Sequence, residues 1–173
     1  MANTYKLISS TTLSSATATV TFSSIPSTYT DLVMSLSTRG ANSTWLPLIY
    51  MTVNGNTSAS YNYAAFGQAN GTPFYSQVYG ATNDAPTLTA GANATSNAFG
   101  YTQFYIPSYR SGSNKVWWSV DAPGFNNATF YQFENSSSLW ANTSAITSIT
   151  FGISGGHNFV TNSSFYLYGI TNS

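Results

Sequence analysis

The chain has 173 residues, only 5% of them charged, and its formal net charge is zero. This length fits one domain spanning residues 1–173, although an average globular protein has roughly 25% charged residues. Nucleic-acid binding needs a cationic surface that displaces counterions from phosphates, and four basic residues do not provide one. The composition therefore indicates no nucleic-acid partner, and it disfavours binding to a membrane surface through basic residues.

Metal and redox chemistry have few candidate residues. Cysteine is absent and His157 is the single histidine, so a disulfide framework, a thiolate metal site and a multi-histidine zinc site are excluded. We expect no metal and no cofactor. The opening MANTYKLISS lacks the apolar core of a secretory signal, and no run has the length of a membrane span. The chain is therefore expected to be made in a cytoplasm.

Aromatic residues make up 16% of the chain, whereas disordered chains are usually poor in them. Most of the polar side chains of the chain are those of Ser, Thr, Asn and Gln. A net charge near zero normally lowers the solubility of a protein. An ordered assembly could tolerate such a surface, and hydroxyl and amide groups could equally keep a monomer in solution.

The first third of the chain alternates apolar and polar residues with the period of two that half-buried strands show. Three short strands are predicted there: Tyr5–Ser10, Ala16–Ser23 and Asp31–Thr38.

An Asn-Gly pair follows the apolar run Leu46–Val53, and this pair is a strong hairpin signal because both residues accept positive φ. We expect Asn54 and Gly55 to turn the chain into a second strand near Ser60–Phe66.

The segment Gly67–Asn97 has the weakest pattern of the chain. It is rich in Gly, Ala, Asn and Thr, and stretches of this kind are either functional or contain short strands. We interpret 67–97 as a loop-rich excursion from the core that carries the exposed aromatic residues Phe74, Tyr75 and Tyr79.

Regular alternation resumes at Phe99–Ile106, and a hairpin loop at 109–114 leads into the strand Lys115–Asp121. In that strand the apolar set is Val116, Trp118 and Val120, so it is expected to point inward. Trp117 then points outward with the polar residues.

The C-terminal segment Ile146–Ile170 contains two strand-like runs separated by Gly155 and Gly156. The second run is apolar on both faces, which indicates a central or doubly covered strand. A terminal strand of this kind is expected in the core, with the first and last strands as neighbours in one sheet.

No segment shows helical spacing over three turns, and turn signals recur at intervals of roughly 8 to 12 residues. The sequence therefore predicts an all-β protein, a jelly-roll-like antiparallel β-sandwich of about ten short strands with little or no helix.

Catalytic residues are not indicated. His157 lies in a predicted turn without a nucleophile motif. A further strand is predicted at Ala128–Glu134, next to Lys115–Asp121. Asp121 and Glu134 fall on these adjacent strands, where they are either charges near strand ends or the paired carboxylates of a glycoside hydrolase. Asn83 and Asp84 are too few oxygen ligands to indicate calcium.

The aromatic residues Phe74, Tyr75, Tyr79 and Trp117 are the remaining candidates for function. Tyr and Trp are enriched in protein interfaces, and their rings can also stack on sugars. In a small all-β domain they can equally belong to the core.

Both ends of the chain resemble a family of small virion structural proteins of tailed bacteriophages. The resemblance is carried by TYKLISSTTLSSATATVTFSSIPSTYTDLVMSLSTRG at the N-terminal end and by AITSITFGISGGHNFVTNSSFYLYGI at the C-terminal end. It covers roughly the outer half of the chain, and Gly40 to Thr143 carries no family motif.

The resemblance implies a capsid decoration, or cement, protein with a jelly-roll or related sandwich fold. The implied partners are the major capsid protein and further copies of the chain, most often in a trimer, on the exterior of a virion capsid assembled in the host cytoplasm. The alternative is a tail-fibre or receptor-binding domain that engages host surface glycans.

Overall fold

A computed structural model describes residues 4–58, 60–82, 85–122 and 132–171, with the side chains of 76–82 and 85–86 outside the description. These residues form strands, turns and loops, and none of them lies in a helix. The strands are β1 (Tyr5–Thr12), β2 (Thr19–Phe22), β3 (Asp31–Thr38), β4 (Leu48–Val53), β5 (Tyr61–Ala69), β6 (Thr72–Thr82), β7 (Ala85–Leu88), β8 (Gly100–Ile106), β9 (Lys115–Ala122), β10 (Gln132–Trp140), β11 (Ile149–Ile153) and β12 (Ser164–Ile170).

The strands form two antiparallel sheets. The large sheet has eight strands in the order β1-β12-β3-β8-β9-β10-β5-β6, and the small sheet has four in the order β2-β11-β4-β7. The prediction of an all-β sandwich is confirmed, with twelve strands in the described residues where about ten were expected. The jelly-roll connectivity stays a prediction.

The core lies between the two sheets. Leu32, Met34 and Leu36 of β3 are fully buried, as the alternation predicts. Phe151 of the small sheet contacts two rings of the large sheet, with centroid distances of 5.6 Å to Phe104 and 6.1 Å to Phe165. These aromatic contacts join the inner faces of the two sheets.

The two ends of the chain meet in the large sheet. β12 lies between β1 and β3 and pairs antiparallel with both. The prediction that the last strand neighbours the first is therefore confirmed, and β12 is an interior strand, the second from one edge of the large sheet. Phe165 and Leu167 face the core and are fully buried, while Tyr166 and Tyr168 stack on the opposite face with ring centroids 6.4 Å apart.

The predicted hairpin at Asn54 and Gly55 is wrong. Both residues do adopt positive φ, but β4 pairs with β11 and β7, while β5 lies in the other sheet. The Asn54 side chain explains this: its Oδ1 accepts hydrogen bonds from the amides of Thr147 (2.8 Å) and Ser148 (3.1 Å). The turn is therefore fixed to the chain entering β11, and it carries the backbone from one sheet to the other.

The segment 67–97 is more regular than expected. β5 extends to Ala69, the eleven residues of β6 form an edge of the large sheet, and β7 forms an edge of the small sheet. The interpretation of 67–97 as an excursion of loops is wrong for these two strands.

In the described ranges, no helix has the length and apolar character needed to cross a lipid bilayer.

We predict that Phe151→Ala lowers the free energy of unfolding by about 3–5 kcal/mol, because it leaves a cavity at the contact between the sheets. Phe66→Ala removes the same ring from a site that is 60% exposed and should cost about 1 kcal/mol or less. Urea denaturation of both variants measures the difference. Equal losses would contradict the position of the core.

Candidate functional site

The candidate site is the surface of the large sheet that points away from the small sheet, which we call the outer face. On β9 it displays Val116 and Trp118, which are 46% and 48% exposed. The other side chains of β9 point toward the small sheet and are all buried; they are those of Lys115, Trp117, Ser119 and Asp121. The predicted orientation of β9 is therefore wrong, because its more apolar set faces outward.

Trp117 belongs to the core. It is 2% exposed, and its ring meets Tyr61 of β5 edge-on with the centroids 6.3 Å apart. It cannot serve as the exposed contact residue expected from the sequence. The residue that takes this position is its neighbour Trp118, which the sequence analysis placed in the core.

Internal hydrogen bonds explain why the polar side of β9 turns inward. The Lys115 Nζ donates to the carbonyl oxygens of Ser111 (2.7 Å) and Ser113 (2.5 Å) in the preceding loop. The hydroxyls of Ser119 and Ser136 hydrogen-bond across the β9–β10 pair at 2.5 Å. Buried polar groups with such partners avoid most of their desolvation cost.

Asp121 completes this polar set. Its Oδ2 accepts hydrogen bonds from the Thr87 hydroxyl (2.5 Å) and the Leu88 amide (2.8 Å), which joins β9 of the large sheet to β7 of the small one. These contacts fix which face of β9 is inside. Because side chains alternate along a strand, they also force Val116 and Trp118 outward.

Trp118 lies in the middle of the outer face. Its Cα is paired with Tyr105 of β8 on one side and with Ser137 of β10 on the other. A shallow cavity of about 180 Å³ lies here, lined by Trp118 together with Tyr105, Pro107, Val116, Trp117 and Ser137. The result is a mostly apolar depression whose hydroxyl-bearing lining residues are Tyr105 and Ser137.

A second aromatic pair lies further along the same face. Phe66 of β5 and Tyr75 of β6 are direct cross-strand partners, and they are 60% and 66% exposed. Tyr75 therefore agrees with the sequence-based expectation of an exposed aromatic residue. Phe74 is half-buried, and its ring lies over Gly67, where an added Cβ would come within 2.8 Å of it. The side chain of Tyr79 is outside the described residues.

The outer face carries almost no charge. Among its described residues, Asp31 is the one residue of the types Asp, Glu, Lys and Arg. It lies at the start of β3 and its side chain is 4% exposed. Its carboxylate accepts hydrogen bonds from the Tyr105 hydroxyl (2.7 Å) and the Ser108 amide (2.8 Å). This hydrogen bond to Asp31 raises the pKa of Tyr105 to about 12, so the phenol stays protonated at neutral pH.

The paired carboxylates lie on the opposite side of the sheet. Asp121 and Glu134 are directly opposed on β9 and β10, as their predicted neighbouring strands suggested. Burial raises the pKa of Asp121 to about 6, and burial together with the charge of Asp121 raises the pKa of Glu134 to about 7. Since Asp121 is 2% exposed, its carboxylate faces the interior and not a surface substrate.

The remaining residues considered from the sequence are a histidine and a possible calcium site. His157 is exposed in the turn between β11 and β12, next to Gly155 and Gly156, both of which have positive φ. Within the described part of the chain, no group of three or more His, Asp or Glu residues could hold a metal ion. Asn83 and Asp84, considered above for calcium, lie outside the described residues.

Comparison of the chain with protein-family models gives no match, and comparison with curated proteins gives none either.

The buried carboxylate pair makes stability depend on pH. Both groups have raised pKa values in the fold, so the folded state holds protons that the unfolded state releases, and stability falls as pH rises from about 4.5 to about 7. We expect the free energy of unfolding to drop by about 3–4 kcal/mol between pH 5 and pH 8.

Glu134→Gln keeps the shape of the side chain and removes one of the two charges. Its unfolding free energy should vary less across this range, and at pH 8 it should exceed that of the wild type. A wild type whose stability rises from pH 5 to pH 8 would contradict the burial of the pair.

Proposed function

We propose that this chain is a virion structural protein of a tailed bacteriophage, a capsid decoration protein that binds the outer capsid surface and stabilises the shell. The observation that carries the proposal is the orientation of β9, whose apolar residues Val116 and Trp118 face solvent while Lys115 and Asp121 are buried. Exposed apolar patches on a folded domain mark surfaces that bind a partner. The resemblance of both chain ends to phage virion proteins supplies the kind of partner.

The outer face is large enough for one stable interface. Eight strands spaced about 4.8 Å apart, each with about seven residues rising 3.3 Å, span roughly 34 Å by 23 Å. That is about 800 Å² of sheet surface, which is the area each partner contributes to an interface of standard size. The area of this face is therefore compatible with an interface of standard size formed by this face alone.

Low charge favours burial of this face. An ion that loses water at an interface needs a partner with good geometry, and most of the outer face has no ion to desolvate. Trp118, Phe66 and Tyr75 provide rings, and aromatic residues dominate the energy of protein interfaces. Ser137 and similar hydroxyl residues between them offer hydrogen bonds at little cost.

Stabilisation of the shell follows from mass action. A protein that binds assembled capsid subunits and not free ones lowers the free energy of the assembled state by an amount that grows with its concentration. The partner is then the major capsid protein, and the chain itself is expected to act as a homo-oligomer, with a trimer favoured. No bond-making chemistry is required of any residue.

The alternative is a tail-fibre or receptor-binding domain. The depression beside Trp118 favours it, because a tryptophan flanked by the Ser137 hydroxyl could stack on a sugar ring. The two functions place the protein on different parts of the particle. Mass spectrometry of separated capsid and tail fractions decides between them, and recovery of the chain from tails alone contradicts the decoration role.

We predict that Trp118→Ser weakens binding to purified shells at least about tenfold, since it removes a central exposed ring from the interface. Trp45→Ser is the matched control, because Trp45 is also exposed (39%) but lies in the loop between β3 and β4. Co-sedimentation with shells freed of the protein by mild chaotrope measures both variants. Equal binding by Trp118→Ser and wild type would contradict docking through the outer face.

A further inference from the structure

A second feature, remote from Trp118, lies at one end of the sandwich around Arg39. This residue follows β3, is 8% exposed, and has its guanidinium enclosed by backbone carbonyl groups. Nη1 donates to the oxygens of Thr95 (2.7 Å) and Ala98 (2.8 Å), and Nη2 donates to those of Ala92 (3.2 Å) and Ala94 (2.9 Å). The cation thereby holds the loop between β7 and β8 in place.

The positive charge of Arg39 is solvated by these carbonyls but not neutralised. Carbonyl dipoles reduce the desolvation cost of a buried cation, while its net charge still acts on the surroundings. Among the described residues no carboxylate forms an ion pair with it, and Nε has no hydrogen-bond acceptor in that part of the chain.

Arg39 forms part of the wall of an open cleft of about 520 Å³, which we call the Arg39 cleft. Its other walls come from the loop before β8 and the loop before β12, and its lining residues include Ser96, Asn97, Phe99, Thr161 and Asn162. Small-molecule sites have volumes of about 300–1,000 Å³, so the cleft has room for one or two sugar units.

The polar residues of the cleft are not used to hold the fold. Ser96, Asn97, Thr161 and Asn162 are exposed, and none of their side chains forms a hydrogen bond within the described part of the chain. Other loop asparagines behave differently: Asn54, for example, binds the residues before β11 through both side-chain atoms. Four uncommitted hydroxyl and amide groups beside a buried cation are thus available to a ligand.

We propose that the Arg39 cleft binds a carboxylate-bearing sugar, such as a uronic acid unit of a polysaccharide. The cation attracts the carboxylate, and Nε–H is the donor left to bind it. The amides of Asn97 and Asn162 and the nearby hydroxyls match the hydroxyl groups of a sugar, and Phe99 offers an apolar surface to its ring. A peptide would instead require apolar side-chain pockets or a free strand edge in the cleft.

The Arg39 cleft is separate from the outer face. The proposal that it binds a sugar does not depend on whether the chain decorates a capsid. Shell binding depends on Trp118, while sugar binding is measured on the isolated protein. The failure of either proposal therefore leaves the other untouched.

The test is titration of the isotope-labelled protein with sodium glucuronate, followed by amide chemical shifts. Shifts should concentrate at residues 95–99 and 160–162, and glucose, which lacks the carboxylate, should bind at least about tenfold more weakly. Raising the salt concentration should weaken glucuronate binding but not glucose binding. No saturable shifts with glucuronate, or equal affinity for glucose, would overturn the proposal.

Two further probes identify the chemistry recognised. Sodium acetate carries the carboxylate without the sugar, and triglycine carries it on a peptide. Weaker binding of both than of glucuronate supports the proposal. Acetate or triglycine binding as tightly as glucuronate contradicts it, because the sugar hydroxyls would then contribute nothing.

A matched pair of variants tests the lining residues without disturbing Arg39, whose loss would release its loop. Asn162 has a φ of 71° and Asn70 a φ of 49°, and glycine adopts such conformations readily. Asn162→Gly should lower glucuronate affinity about threefold to tenfold by removing one amide. Asn70→Gly makes the same change in the turn between β5 and β6 and should bind normally. Equal affinity of the two variants would contradict a role for Asn162.

Discussion

The structure depends on the polar side of β9 being inside. Lys115 donates to two loop carbonyls, Ser119 hydrogen-bonds to a hydroxyl of the next strand, and the Asp121 Oδ2 accepts from a hydroxyl and an amide of the opposite sheet. The Asp121 Oδ1 is buried without a hydrogen-bond partner among the described residues. Since these groups are hydrogen-bonded, the fold can bury them, whereas unpaired they would cost several kcal/mol. The alternation of side chains then leaves Trp118 no position but the surface.

That constraint links packing to function. The inner face of the large sheet uses aromatic contacts such as Phe104 with Phe151 to hold the small sheet. Its outer face retains a tryptophan, a phenylalanine and several tyrosines with almost no charge between them. A domain built in this way packs one face of its large sheet as a sandwich core and leaves aromatic residues exposed on the other face. The charge of a second buried cation, Arg39, lies elsewhere, at the Arg39 cleft.

Sequence reasoning succeeded where one physical signal dominated. The bounds of β3, Asp31–Thr38, were predicted as found, because a regular period of two runs along its whole length. The burial of β12 followed from its apolar character, and its pairing with β1 followed from the closure of a sandwich that brings the two chain ends together. Sequence reasoning failed for the orientation of β9, because each face of this strand carries a tryptophan. The hydrogen bonds that determine which face is buried come from residues distant in the sequence, such as Thr87. Sequence reasoning also failed at Asn54, whose turn conformation was foreseen but whose side-chain contacts to 147–148 were not.

The most direct test of this account is hydroxyl-radical footprinting of the two adjacent tryptophans, read by fragmentation mass spectrometry. In the free protein Trp118 should be oxidised readily and Trp117 should remain at background, because the first is 48% and the second 2% exposed. Bound to its shell, the protein should lose the labelling of Trp118. Stronger labelling of Trp117 than of Trp118 would contradict the orientation of β9, and with it the outer face on which the proposed function depends.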